Sequence, residues 1–165
     1  MRAIAIVSGK GGVGKTTTAI NLGTSLNNLG KDVIIIDANV STPDIGLSLG
    51  APVVPISLQH ALSGKNSAEN AVYLHYSGTK IMPSSLAFNK ETKLENLGDV
   101  VYRLKQMSDL ILIDSAAGVG EDVIAAMQAA DECLIVTNAE MPALSSALKT
   151  IKVAKDLGKE ITGVV

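Results

Sequence analysis

The stretch Gly9-Lys10-Gly11-Gly12-Val13-Gly14-Lys15-Thr16 constrains this 165-residue chain more than any other. Before it lies the continuously apolar run Ala3-Ile4-Ala5-Ile6-Val7, which is short, stops at Ser8-Gly9 and reads as a strand buried on both faces. After it, Ala19, Leu22, Gly23, Leu26 and Leu29 recur at helical spacing, with Gly30 as the stop. A strand that turns through glycines into a helix is the setting in which the pattern G-x-x-x-x-G-K-[ST] binds phosphate. Glycines let the backbone bend tightly and bring its amides against an anion, and the positive end of the helix favours that anion. On this reading the backbone of Gly11, Gly12, Val13, Gly14, Lys15, Thr16 and Thr17 cradles the phosphates of a nucleotide. Lys15 reaches the β- and γ-phosphates, and the Thr16 hydroxyl ligates Mg²⁺.

The rest of the chain repeats the alternation. Val33-Ile34-Ile35-Ile36 reads as a second buried strand ending at Asp37, and Leu110-Ile111-Leu112-Ile113 as another ending at Asp114. Leu134-Ile135-Val136-Thr137 and a run from Ile161 to the last residue read as two more. Between them, Leu94, Leu97, Val101 and Leu104 mark an amphipathic helix, and residues 121–130 a further one. Pro142 fits the first turn of a last helix with an apolar face of Leu144, Ala147, Leu148, Ile151 and Ala154, running on to Leu157. Pro43, Pro52 and Pro55 predict loop in residues 39–64, interrupted by one or two helical turns at 58–62. Residues 72–76 and 80–82 form either a hairpin or a short strand followed by a core strand.

The predicted architecture is α/β: a single domain over residues 1–165, three-layered, with a mainly parallel sheet between helices and ligands at the carboxyl ends of the strands. With aromatic residues at 2% and hydrophobic residues at 47%, its core has to be aliphatic.

Lys10, directly after the first glycine, turns the loop into GKGGVGKT. This variant resembles the loop of the MinD and ParA ATPases, the nitrogenase iron protein and the ATPases that target tail-anchored proteins. The resemblance implies the P-loop nucleoside triphosphatase fold, with ATP and Mg²⁺ as cofactors. It also implies an ATP-dependent homodimer in which Lys10 crosses the interface to the partner's nucleotide, acting as an arginine finger does.

Two more segments extend the likeness. Asp114-Ser115-Ala116-Ala117-Gly118 resembles the family's DSPAG, with Ala116 at the proline position; it implies a magnesium role for Asp114 and a γ-phosphate-sensing amide at Gly118. Thr137-Asn138-Ala139-Glu140 resembles TNPE, which implies that Asn138 lies beside the nucleotide.

Asp37-Ala38-Asn39 departs from the Asp-x-Asp usual in the family, whose second carboxylate handles the attacking water. Slow hydrolysis is expected, with Asp37 supporting the metal site and the Asn39 amide orienting water; Asp44, close by in sequence, is a substitute carboxylate. Family domains continue past a strand like the last one here, so the chain is expected to be short at its C-terminal end.

The segment DANVSTPDIGLSLG is closer to MinD than to ParA. The resemblance therefore implies a MinD-like switch in the spatial regulation of cell division or the positioning of a cellular complex, with a regulatory protein partner. A ParA-like partition ATPase and a non-hydrolysing nucleotide-dependent scaffold or carrier are the alternatives.

A net charge of −2 and a pI near 5.6 give no general attraction to nucleic acid. Lys149, Lys152, Lys155 and Lys159, spaced along the last helix, read as a solvated face. A single cysteine, Cys133, favours a cytoplasmic protein, and membrane contact is expected only through a C-terminal segment beyond Val165. Neither His60 nor His75 has neighbours that suggest a metal site.

Overall fold

A computed structural model describes residues 1–50, 53–85 and 94–165 of the chain. The seven strands among these residues are β1 (Arg2–Ser8), β2 (Val33–Asp37), β3 (Tyr73–Leu74), β4 (Lys80–Met82), β5 (Leu110–Ala117), β6 (Glu132–Ile135) and β7 (Glu160–Val164). Its helices are α1 (Lys15–Asn28), α2 (Ile45–Ser48), α3 (Leu58–Leu62), α4 (Leu97–Leu104), α5 (Glu121–Ala129) and α6 (Met141–Asp156). The strands form one sheet in the order β3-β4-β2-β5-β1-β6-β7. Every neighbouring pair is parallel except β3 with β4.

Because successive strand residues point to opposite faces, an unbroken apolar strand is readable as one covered on both sides. Ile6, Ile35 and Leu112 pack under α1 with Ala19, Leu22 and Leu26. Ala5, Val7, Ile34, Ile36, Ile111 and Ile113 face the other layer, where α4, α5 and α6 supply Val101, Leu104, Val123, Met127, Ala147 and Ala154. The predicted three-layer fold with an aliphatic core is what forms.

The elements differ from expectation in several places. The first is β6, which begins two residues earlier than its apolar run, because Glu132 is buried there between Arg2 and the Thr162 hydroxyl, 2.8 Å away. A charged residue with two partners passes for strand interior in the fold but not in a hydropathy pattern.

Helix α6 is also turned from the face the spacing suggested. It buries Ala143, Ala147, Thr150 and Ala154, and exposes Leu144 and Leu148. Close approach accompanies this at the first turns: a Cβ on Gly9 would collide with the backbone of Ser146, and the residues buried on either side of it, Ala143 and Ala147, are small, while Ile151 packs partly buried further along.

Lys159 lies past the end of α6 rather than on its lysine row. Its Nζ donates to the carbonyls of Gln128 at 3.0 Å and Ala130 at 2.7 Å, capping the C-terminus of α5. The predicted helix from Leu94 splits into a 3₁₀ turn over Leu94–Asn96 followed by α4.

Residues 58–62 are helical as expected, and β3 pairs antiparallel with β4, which in turn joins the core, so both readings of that region contain part of the answer. Among the described residues no helix is long and apolar enough to cross a membrane.

Candidate phosphate- and metal-binding site

The carboxyl ends of β1, β2, β5 and β6 meet at one edge of the sheet and bring together most of the predicted residues. β1 leads into the glycine loop, where Gly12 and Gly14 hold φ of 74° and 100°, a region that side chains disfavour. Helix α1 then starts at Lys15 with no side-chain cap. Its first bond is from the Thr18 amide to the Gly14 carbonyl, 2.8 Å. Among the described residues, the amides of residues 11–17 donate to no backbone carbonyl outside a helix. They are a row of uncommitted donors at the positive end of a helix, which is an anion cradle in its physical requirements.

Lys15 stands at this row half-buried. Desolvation lowers its pKa, against the opposing pull of the Asp114 and Asp44 carboxylates. Asp37 and Asp114 are in register on adjacent strands, so both carboxylates rise on the α1 side of the sheet. The Thr16 hydroxyl donates to Asp114 Oδ2 at 2.6 Å, while Asp114 Oδ1 is buried with no hydrogen-bond partner.

Burial pushes the Asp114 pKa up to about 6, against the Thr16 hydrogen bond and Lys15; Asp44 pushes the same way as burial. A buried acceptor without a donor, beside a hydroxyl, is a place where a hard cation relieves an electrostatic cost. No cluster of three or more His, Cys, Asp or Glu occurs among the described residues. The oxygen donors present therefore fit Mg²⁺, which keeps waters and takes phosphate oxygens, better than a metal caged by protein alone.

Asp37 is engaged differently. Its Oδ1 accepts the Asn39 amide at 3.2 Å, and its Oδ2 accepts the amides of Asp44 and Ile45, both at 3.1 Å. Burial is the main reason its pKa is raised to about 7; the Ile45 amide opposes this and the Asp114 charge adds to it. The carboxylate thus builds the start of α2, a helix in a segment whose prolines predict loop.

Asn39 turns its carbonyl oxygen to the Thr42 hydroxyl, 3.1 Å away. The Gly118 amide donates to the Ser8 carbonyl at 2.8 Å and so does not point into the loop in this conformation. Lys10 Nζ pairs with Glu140 Oε2 at 3.2 Å, both side chains half-exposed, and Asn138 lies exposed two residues earlier.

Two of these partners carried no assignment in the sequence reading. Ser8 links the Lys10 and Gly118 segments, since its hydroxyl also donates to the Lys10 carbonyl at 2.8 Å; Glu140 was visible only as part of a motif. Cys133 is buried, and burial raises its thiol to about 11.

A parallel sheet with this loop at the end of β1, a threonine-linked aspartate at the end of β5 and helices on both faces defines a P-loop nucleotide-binding domain. The family model described as an AAA domain matches residues 1–162. The chain belongs to this family, the P-loop ATPases of MinD/ParA type.

An uncharacterised ATP-binding protein of Methanocaldococcus jannaschii is 35% identical across 99% of this chain and 62% of its own length. The septum site-determining protein MinD of Thermotoga maritima is 34% identical across 94% of this chain and 59% of its own. The chain thus spans less than two thirds of these curated relatives. The structure of MinD from Pyrococcus horikoshii complexed with Mg-ADP matches with a TM-score of 0.91 at 35% identity, covering 99% of this chain and 68% of that one.

Proposed function

We propose that the chain is the nucleotide-binding part of a MinD-like ATPase switch, which binds Mg·ATP on residues 9–16, dimerises in response and hydrolyses ATP slowly. The observation that carries this reading is the uncommitted amide row at residues 11–17 beside Lys15 and the Thr16–Asp114 pair. The amides and Lys15 take the phosphate charge, and Thr16 with Asp114 holds Mg²⁺. When bound, the ion supplies Lewis-acid neutralisation of the phosphate oxygens. Asp37 fixes the loop behind it by its three amide contacts.

Lys10 is the residue that reaches the partner's nucleotide, and opening its contact with Glu140 is the local change that dimerisation requires. The output is the difference in partner affinity between the two states, in regulation of cell division or in positioning of another complex. The relatives named MinD support this reading over a partition ATPase, and the charge of −2 gives no field for nonspecific DNA.

Phosphate release and size in solution, measured with ADP and with ATP, test the proposal. Wild type should dimerise with ATP alone and Lys10→Ala should stay monomeric with ATP bound. Lys15→Ala should lose about 10- to 100-fold in ATP affinity, the worth of charge-assisted hydrogen bonds. A wild-type monomer under every condition would remove the switch; undiminished ATP binding by Lys15→Ala would remove the site.

A further inference from the structure

Hydrolysis of a phosphoanhydride needs a group that receives the attacking water, and the acceptors at this edge can be taken in turn. Asp37 has both oxygens engaged by three backbone amides and is buried. Asp114 is buried too, with one oxygen on Thr16. Asn39 has its carbonyl on the Thr42 hydroxyl, and a carboxamide does not take up a proton at neutral pH. Asp122 accepts from the Ser41 hydroxyl at 3.3 Å.

Asp44 differs from all of these. Its backbone amide is pinned to Asp37 Oδ2 at 3.1 Å, which fixes the residue beside the paired carboxylates of β2 and β5. Its own carboxylate is exposed, caps no helix amide and forms no ion pair or hydrogen bond among the described residues. Together with Asp114, it is one of two carboxylates whose charge is felt at Lys15.

We propose that Asp44, rather than Asn39, is the acceptor that orients the attacking water and takes its proton. The water oxygen forms a bond to the γ-phosphorus while the bond from that phosphorus to the β–γ bridging oxygen breaks. The bridging oxygen leaves on ADP with the electron pair, and the proton shed by the water passes to the Asp44 carboxylate and then to the released phosphate. Asp37 serves as the positioning residue, because its hydrogen bond holds the Asp44 backbone in place. The inference rests on the ATPase reading above and names the residue that performs its chemical step.

The test compares wild type, Asp44→Asn, Asp44→Glu and Asn39→Ala, using single-turnover phosphate release and equilibrium binding of ATP. Asp44→Asn should turn over about 100-fold more slowly, the usual worth of a general base, with ATP affinity unchanged. Asp44→Glu should recover part of the rate and Asn39→Ala should keep most of it. Because the Asp44 side chain makes no hydrogen bond or ion pair among the described residues, the two Asp44 variants should melt with wild type.

Wild-type turnover in Asp44→Asn overturns the assignment, as does an equal loss in Asn39→Ala or a fall in ATP affinity that matches the fall in rate. A wild-type chain that binds ATP and never releases phosphate overturns the assignment and hydrolysis while leaving the binding site standing. Absence of ATP binding removes the ATPase reading itself.

Discussion

At the scale of single residues, the site is built from carboxylates held where they are costly. Asp37 and Asp114 are buried, and their pKa values, pushed up to about 7 and about 6, lie above the ordinary range of an aspartate. Each binds its proton more tightly folded than unfolded. Their contribution to metal-free stability is therefore greatest below the unfolded pKa, falls as pH rises toward about 7 and levels off above that. In Asp114→Asn the amide can keep the Thr16 contact without a charge to bury. Thermal melts in a chelator should find this variant more stable than wild type at about pH 8, by up to about 3 kcal/mol, with the gap closing toward about pH 4. Added Mg²⁺ should raise the wild-type midpoint alone. A variant less stable than wild type at both pH values would mean that Asp114 is a structural ligand of Thr16 and not a reserved metal acceptor.

At the scale of elements, the glycine loop is set by what lies against it. Gly9 touches the backbone of Ser146, so Gly9→Ala has to drive β1 and α6 apart. A cost of about 1–3 kcal/mol is expected, with weakened ATP binding, measured by denaturant unfolding and nucleotide titration. Unchanged stability and affinity would show that α6 yields without moving the loop.

The same contact explains what was legible in the sequence and what was not. The central strands could be read because β1, β2 and β5 are apolar on both faces, and the loop because its chemistry is local. The outward turn of Leu144 and Leu148 could not, since helical spacing records a face without recording how much room lies beneath it. Helix α2 was hidden for a related reason: its start hangs on amides of residues 44 and 45 reaching back to Asp37, which no local pattern carries. For the site itself, Lys15 and Thr16 followed from the glycine motif and Asp114 from the apolar strand that ends on it, whereas the engagement of Asn39 by Thr42 and of Gly118 by Ser8 is set by how the loops settle in the fold.

At the scale of the whole molecule, burial divides the sheet into a centre and two margins. The interiors of β1, β2 and β5 are sealed, while β7 alternates exposed and half-buried positions and β3 is two residues long. Hydrogen exchange should show the central amides opening only with global unfolding, and β3 and β7 well before it. Mg·ATP should slow exchange specifically at residues 11–17; identical rates there with and without nucleotide would place the ligand elsewhere. The ion pair of Lys10 with Glu140 adds a form of selectivity that precedes any chemistry. Between half-exposed partners such a pair is worth at most about 1 kcal/mol, so it bars nothing by strength. It does mean that an incoming anion must replace a carboxylate instead of meeting a bare cation. A singly charged ion gains little by that exchange at Lys10 and a polyanionic tail gains more, so the pair tilts this one cation toward the more highly charged ligand by no more than its own strength.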